Sequence, residues 1–244
     1  MALYERDLAF VQAAAFGDLA ARATPYLIAR LRGARVPIKR VIDVGCGAGV
    51  TTRALVEAGF EVIAVEPSGA LLEYARIAAP SARFVQASAY AIELPPCEAV
   101  LAVGEPLTYH APGTDAQATL RAFFAKVAAA LSPGGLFVFD VIEASGPSLD
   151  ARAWRSADEW AILSETKEDR TTARLTRTID TFVLDGSPSR DRYRRAREVH
   201  HVALFDEPDL RAWLEREGFD VESSRSYGDA QLAPRRIAIV ATRR

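Results

Sequence analysis

Apolar positions recur along this chain in two rhythms, and the change from one to the other marks out its parts. Over residues 5–33, Leu8, Val11, Leu19, Tyr26, Leu27, Ala29 and Leu31 recur on a partly apolar helical face with few breakers before Gly33, so a helical lead-in is expected. Pro37 closes it. At 40–44 a β-branched run, Arg40-Val41-Ile42-Asp43-Val44, takes over, of the kind a parallel sheet buries on both faces. A helix over 51–58 ended by Gly59 follows, then a strand over 61–65 and a helix to residue 78 that Ser68 is placed to cap. A short edge strand at 83–86, a strand at 98–103, an alanine-rich helix at 114–131 stopped by Ser132-Pro133-Gly134-Gly135, and a fifth strand at 136–141 continue the alternation. Strands alternating with helices predict a doubly wound α/β sheet with helices on both faces.

Beyond residue 142 the pattern breaks. Three stretches, 159–167, 171–184 and 192–205, alternate with period two, and Asp185-Gly186-Ser187 is a hairpin signal between the last two. Consecutive strands of this sort form an antiparallel sheet, here inserted into the α/β core as a lid. A helix at 207–217 ended by Gly218, and strands at 219–226 and 235–242, complete the core. The expected parts are a helical cover over 1–37, an α/β core over 38–145, the inserted sheet over 146–205 and the completion of the core over 206–244.

The 244 residues are half apolar and a quarter charged, ample for a buried core. With 30 basic and 32 acidic side chains the formal charge is −2, which argues against nucleic acid or an anionic membrane as partner. No apolar run approaches the roughly 20 residues that span a bilayer. The first residues lack the basic stretch, apolar core and cleavage site of a secretory signal, so a cytoplasmic location is expected. The two cysteines, Cys46 and Cys97, are too few for a disulfide scaffold or a cysteine-rich zinc site, and no metal is expected. Only Lys39, Lys126 and Lys167 are lysines, so arginine supplies most of the positive charge and bidentate anion capture is considered where arginines cluster.

The chemistry centres on Asp43-Val44-Gly45-Cys46-Gly47-Ala48-Gly49. Glycines at every second position let the backbone turn from strand into helix and let a ligand come close. A dinucleotide fold has G-x-G-x-x-G with phosphate on the helix. Here the spacing is G-x-G-x-G, and Asp43 would repel a pyrophosphate but suits an ammonium group. Glu66, closing the second strand, is placed to accept from both ribose hydroxyls. Together the two acids suit a nucleoside with a cationic amino-acid tail, such as S-adenosylmethionine (SAM).

These residues, with Glu66-Pro67-Ser68 and Leu131-Ser132-Pro133-Gly134-Gly135-Leu136-Phe137-Val138-Phe139-Asp140, resemble the Rossmann-like SAM-dependent methyltransferases of small-molecule type over roughly residues 38–142. The resemblance implies seven strands in order 3-2-1-4-5-7-6 with the last antiparallel. It implies that Gly45, Cys46 and Gly47 line the methionine and ribose, that Asp43 orients the loop or reaches the amino group through water, and that Pro67 packs beside the adenine. Many relatives carry an acid after the third strand for the adenine amino group; here Ser88 and Ala89 stand in that region instead. Tyr4 is expected in a cover over the donor.

In an open α/β sheet the acceptor sits beyond the carboxyl ends of strands one and four. There the chain reads Val103-Gly104-Glu105-Pro106-Leu107-Thr108-Tyr109-His110, which is not the [DN]-P-P-[YF] tetrapeptide of enzymes that methylate exocyclic amines of bases or glutamine amides. Val103 and Gly104 are expected against the donor, Tyr109 against the acceptor, and Glu105 or His110 as general base. In the polar segment 190–201, alternation puts Arg194, Glu198 and His200 on one face and Tyr193, Arg195, Arg197 and His201 on the other. His200 or His201 is a second base candidate, and Arg194 and Arg195 are expected to meet an anionic acceptor. The reading is SAM-dependent methyl transfer to O or N of a small molecule by a monomer or homodimer. The alternatives are an enzyme that cyclises or cleaves the aminobutyrate portion of SAM, and a non-catalytic SAM-binding module.

Overall fold

The computed structural model describes residues 3–186 and 192–244; Ser187 of the expected hairpin and Arg190 and Asp191 of the polar segment lie outside the described residues. In chain order the elements are α1 (Arg6–Ala15), α2 (Asp18–Arg32), β1 (Arg40–Val44), α3 (Val50–Glu57), β2 (Glu61–Val65), α4 (Gly69–Ala78), β3 (Arg83–Val85) and β4 (Cys97–Ala102). Then follow α5 (Ala116–Ala130), β5 (Leu131–Ile142), β6 (Ala151–Ala157), β7 (Trp160–Asp169), β8 (Arg174–Leu184), β9 (Tyr193–Ala203), α6 (Glu207–Arg216), β10 (Phe219–Ser224), β11 (Ser226–Tyr227), β12 (Ala230–Gln231) and β13 (Arg236–Arg243). The central sheet runs β3-β2-β1-β4-β5-β13-β10, with β13 antiparallel to both neighbours. This is the expected seven-stranded order, its final strand reversed.

Alternation along the strands builds a core on each face. Ile42, Val44, Val100, Phe137 and Phe139 pack with Leu120, Phe123, Phe124 and Val127 of α5 and with Leu210 and Leu214 of α6. Val41, Val62, Leu101, Leu136 and Val138 face Leu27 and Leu31 of α2 and Leu55 of α3. The segment Ser132-Pro133-Gly134-Gly135 ends α5 and also enters β5 through a bulge, where pairing skips from Cys97–Leu131 to Ala99–Leu136. Glycine is needed there: a Cβ on Gly135 would lie 2.7 Å from the Glu98 carbonyl.

The lead-in expected as one helix is two. The chain breaks at Phe16-Gly17, where a Cβ on Gly17 would stand 3.2 Å from Val50 Cγ2. Each half serves a different surface: α2 packs on the central sheet, whereas Leu8 and Val11 of α1 pack with Trp160, Ile162, Ile179 and Val183 of the inserted sheet. That sheet has four strands, not three, in order β6-β7-β8-β9. All seven residues of β6 are exposed, so no buried face imposed a pattern on its sequence. The strand expected at 219–226 stops at Ser224, and a small β11–β12 hairpin turning at Gly228 carries Tyr227 into the core.

One buried ion pair staples the inserted sheet to the core. Arg235, just before β13, donates to both oxygens of Glu168 on β7 at 2.8 and 2.9 Å, and also to the carbonyls of Glu143, Ala144 and Pro147. Both side chains are at most 3% exposed, so each charge depends on the other. Among the described residues no helix is long and apolar enough to cross a membrane.

Candidate active site

The glycine elbow leaves β1 with Gly45 and Gly47 at φ of +71° and +56°, a region glycine enters without strain. At Gly45 space decides as well, because a Cβ would fall 2.2 Å from the Cβ of Pro106. At Gly47 a Cβ would meet nothing within 4 Å, so its missing side chain opens onto free space. The Gly45 and Cys46 amides both donate to the Val65 carbonyl, at 2.7 and 3.1 Å. The elbow is thereby tied to the end of β2.

Glu66 is the next residue, and its buried carboxylate accepts from the Gly47 and Ser68 amides at 3.1 and 2.9 Å. Burial, partly offset by these two bonds, pushes its pKa up to about 7. Burial likewise lifts Asp43 to about 6, against the lowering effect of a 2.6 Å bond from Thr52 Oγ1. Two neighbouring acids held near neutrality favour a ligand that brings hydroxyl donors and positive charge. The Cys46 thiol is pushed up by burial and by both acids, so it stays protonated.

A cavity of about 800 Å³ opens onto these groups, within the range of small-molecule sites. Its wall brings together Tyr4, Asp43, Gly45, Cys46, Gly47, Glu66, Pro67, Ser88, Ala89, Val103 and Gly104 with Glu105, Tyr109 and His110. Such a lining fits a nucleoside with an amino-acid tail: acids at both ends of the elbow, a roofing aromatic, and open space where Gly47 and Gly104 have no side chain.

Glu105 sits at φ +66°, an uncommon conformation for a residue with a side chain. Asp140, fully buried on β5, holds the turn by accepting from the Gly104 and Glu105 amides at 2.7 and 3.1 Å and from Tyr227 Oη at 3.0 Å. The Glu105 carboxylate forms ion pairs with Arg177 of β8 and Arg236 of β13. Burial alone would raise its pKa, but the two guanidiniums outweigh burial and hold it at about 2. A carboxylate so held is a poor proton acceptor at neutral pH, contrary to its expected role as base.

Burial lowers His110 to about 4, so its imidazole is neutral at pH 7. It stacks on Tyr90 at 4.8 Å, with Nε2 3.1 Å from a Tyr90 hydroxyl that itself donates to the Leu107 carbonyl. With that proton spent on Leu107, Nε2 carries the hydrogen in this contact.

The other four expected residues are not in the cavity wall. Arg194 pairs with Asp7 of α1 at 2.8 Å, and Arg195 pairs with Asp180 on the outer face of the sheet at 2.8 Å. His201 offers its carbonyl to the His110 amide at 3.1 Å. His200 lies behind Tyr4 and Tyr109, with ring centroids 5.1 and 5.7 Å away. The alternation read from sequence holds, since Glu198 and His200 are buried while Tyr193, Arg195 and Arg197 are exposed. The buried face, however, meets α1 and the two tyrosines before it reaches the cavity.

Four other arginines line it, Arg22, Arg155, Arg177 and Arg236, none of them among the expected site residues. A signal existed for one of them: Arg177 shares its face of β8 with Leu175, Ile179, Thr181 and Val183, a charge on an otherwise uncharged inner face. The Tyr4 and Tyr109 hydroxyls are 3.0 Å apart, and Tyr109 donates to Glu105 Oε1 at 3.4 Å. Burial pushes Tyr4 up to about 12 and Tyr109 well above its usual value, so both remain phenols. Among the described residues no group of three or more His, Cys, Asp and Glu could hold a metal ion.

A family model described as a methyltransferase domain matches residues 16–224. No curated protein matches the chain in sequence. Among solved structures, an S-adenosylmethionine-dependent methyltransferase from Clostridium acetobutylicum superposes with a TM-score of 0.81 at 18% identity, covering 98% of each chain. A sugar N-methyltransferase from a Streptoalloteichus species reaches 0.78 at 24% identity over 100% of this chain and 93% of the other. A SAM-bound amino pentose methyltransferase from Micromonospora echinaspora reaches 0.72 at 21% identity, covering 100% and 99%.

Proposed function

Because the chain belongs to the methyltransferase-domain family, we propose that it transfers the methyl group of SAM to a nitrogen or oxygen of a small-molecule acceptor. The observation that carries this reading is a single cavity shared by the Gly45–Gly47 elbow, Glu66 and the Tyr4–Tyr109 pair. SAM, when bound, supplies an electrophilic methyl group on a positively charged sulfur. Glu66 would hold the ribose, Asp43 and the elbow the amino-acid tail, and Pro67, Ser88 and Ala89 the adenine.

Transfer to such a carbon is an in-line displacement, so the residues around it chiefly align the acceptor and keep water out. Glu105 stays ionised, and Tyr109 spends its proton on it. Tyr4 in turn donates to Tyr109, which leaves Tyr4 Oη with lone pairs to accept an acceptor N–H or O–H. Sugar N- and amino pentose methyltransferases share this fold, and an amine is the acceptor chemistry their names favour. The anion-binding role expected of Arg194 and Arg195 passes in this proposal to Arg177 and Arg236, which line the cavity. Titration calorimetry with S-adenosylhomocysteine, followed by acceptor-library turnover scored by mass, tests the reading. Binding and an acceptor mass gain of about 14 Da, the net gain when a methyl group replaces a hydrogen, support it; release of 5′-methylthioadenosine instead would overturn it.

A further inference from the structure

Tyr4 is where three parts of the molecule meet. Its backbone lies at φ +51°, in the left-handed region that strains a side-chain-bearing residue and persists only where surroundings enforce it. Its carbonyl accepts from Ser68 Oγ at 2.6 Å, two residues from Glu66 on the ribose side. Its hydroxyl touches Tyr109 on the acceptor side. Its amide donates to Glu198 Oε2 at 2.8 Å, and the next amide, Glu5, donates to Glu198 Oε1 at 2.9 Å. The same carboxylate lies 2.8 Å from His200 Nε2.

Glu198 is therefore a buried acid, 8% exposed, whose two oxygens are occupied by the first backbone donors ahead of α1 and by an imidazole. Its position near the positive end of α1 adds to the attraction. Two other polar links hold α1 to the inserted sheet, Asp7–Arg194 and the bond from Arg155 to the Ala15 carbonyl, and neither touches Tyr4; its side chain also packs against the apolar cluster that Leu8 and Val11 form with that sheet, but only Glu198 holds its amide. The sheet that presents Glu198 is itself fixed to the core by Arg235–Glu168.

We propose that Glu198 is a positioning residue that grips the main chain of Tyr4 and so sets the Tyr4 carbonyl against the donor side and its hydroxyl against the acceptor side. This rests on the methyl-transfer reading for its catalytic consequence, though not for the grip itself. Loss of the carboxylate strands two amides, each a charge-assisted bond. Glu198→Ala is expected to weaken S-adenosylhomocysteine binding and to lower acceptor kcat/KM, each by about 10- to 100-fold. The two effects arise through Tyr4, so in a Tyr4→Phe background Glu198→Ala should cost clearly less acceptor kcat/KM than in the parent.

The experiment combines calorimetry and kinetics on the parent, both single variants and the double variant with hydrogen exchange of residues 3–10 in the ligand-free protein. Val199→Thr, on the exposed side of β9, serves as a control expected to match the parent. Faster exchange at 3–10 in Glu198→Ala together with non-additive kinetics supports the proposal. Unchanged exchange overturns it, and so do strictly additive kinetics, the mark of a merely structural role. Should Glu198→Ala not fold, Glu198→Gln keeps the shape but only one acceptor oxygen, and the same cycle is run with an expected loss of about 3- to 10-fold. A parent that binds no S-adenosylhomocysteine defeats the methyl-transfer reading alone, and exchange then decides the grip.

Discussion

Glu66 gives the site a pH signature. Its pKa of about 7 exceeds the ordinary carboxylate value of roughly 4.3, so the folded protein binds this proton more tightly than the unfolded chain. The stability it contributes is complete below about pH 4 and is lost as pH rises through 7. A ribose diol donates to the ionised form, so S-adenosylhomocysteine affinity should rise between pH 5.5 and 8, with proton release on binding below about pH 7. Calorimetry in buffers of different ionisation enthalpy checks this, and a flat profile would remove Glu66 from the ribose role. Glu105 carries the opposite sign: its depressed pKa makes its contribution complete above about pH 4.5 and lost as pH falls through about 2. Glu105→Gln leaves Arg177 and Arg236 poorly compensated and should cost about 3–5 kcal/mol in urea unfolding. The elbow and Glu66 were legible in sequence because each closes a strand. The partners of Glu105 were not, because they lie 72 and 131 residues further along.

Elements with local signals were read closely. β1 and β2 fall where their β-branched runs end, and α4 begins after Ser68, whose hydroxyl accepts from Leu71 N at 3.1 Å. Elements whose limits are set by distant partners were misread: α1 and α2 looked continuous because only their separate docking surfaces divide them, and β6 left no trace because it buries nothing. The attachment of the inserted sheet was equally invisible, since Arg235 and Glu168 are 67 residues apart. Arg235→Ala strands Glu168 in a buried setting and should destabilise the protein by about 3–5 kcal/mol. It should also separate the unfolding of the inserted sheet from that of the core, seen as non-coincident transitions by tryptophan fluorescence and far-UV circular dichroism. A single coincident transition would mean that other contacts suffice to fix the sheet.

At the scale of the whole molecule, the cavity is walled by the core, the inserted sheet and both N-terminal helices, so a ligand that fills it would reach all of them. S-adenosylhomocysteine at 100 times its Kd should add about 2.7 kcal/mol of stability, and hydrogen exchange should slow in α1 and in the loop after β4 together. Slowing confined to the core would show that the cover does not close on the donor. Sheet order could be expected from the alternation of strands and helices together with the family resemblance, whereas the path of α1 could not.

That path has a cost during synthesis. Leu8 and Val11 are buried against Trp160, Ile162, Ile179 and Val183, residues the ribosome adds roughly 150 positions later. At about 5–20 residues per second, the first helix waits on the order of ten to thirty seconds with its apolar side in water. Helix α4, made early, can lie beside α1 at once, but a nascent protein stalled before β7 would still leave Leu8 and Val11 without the apolar surface that covers them.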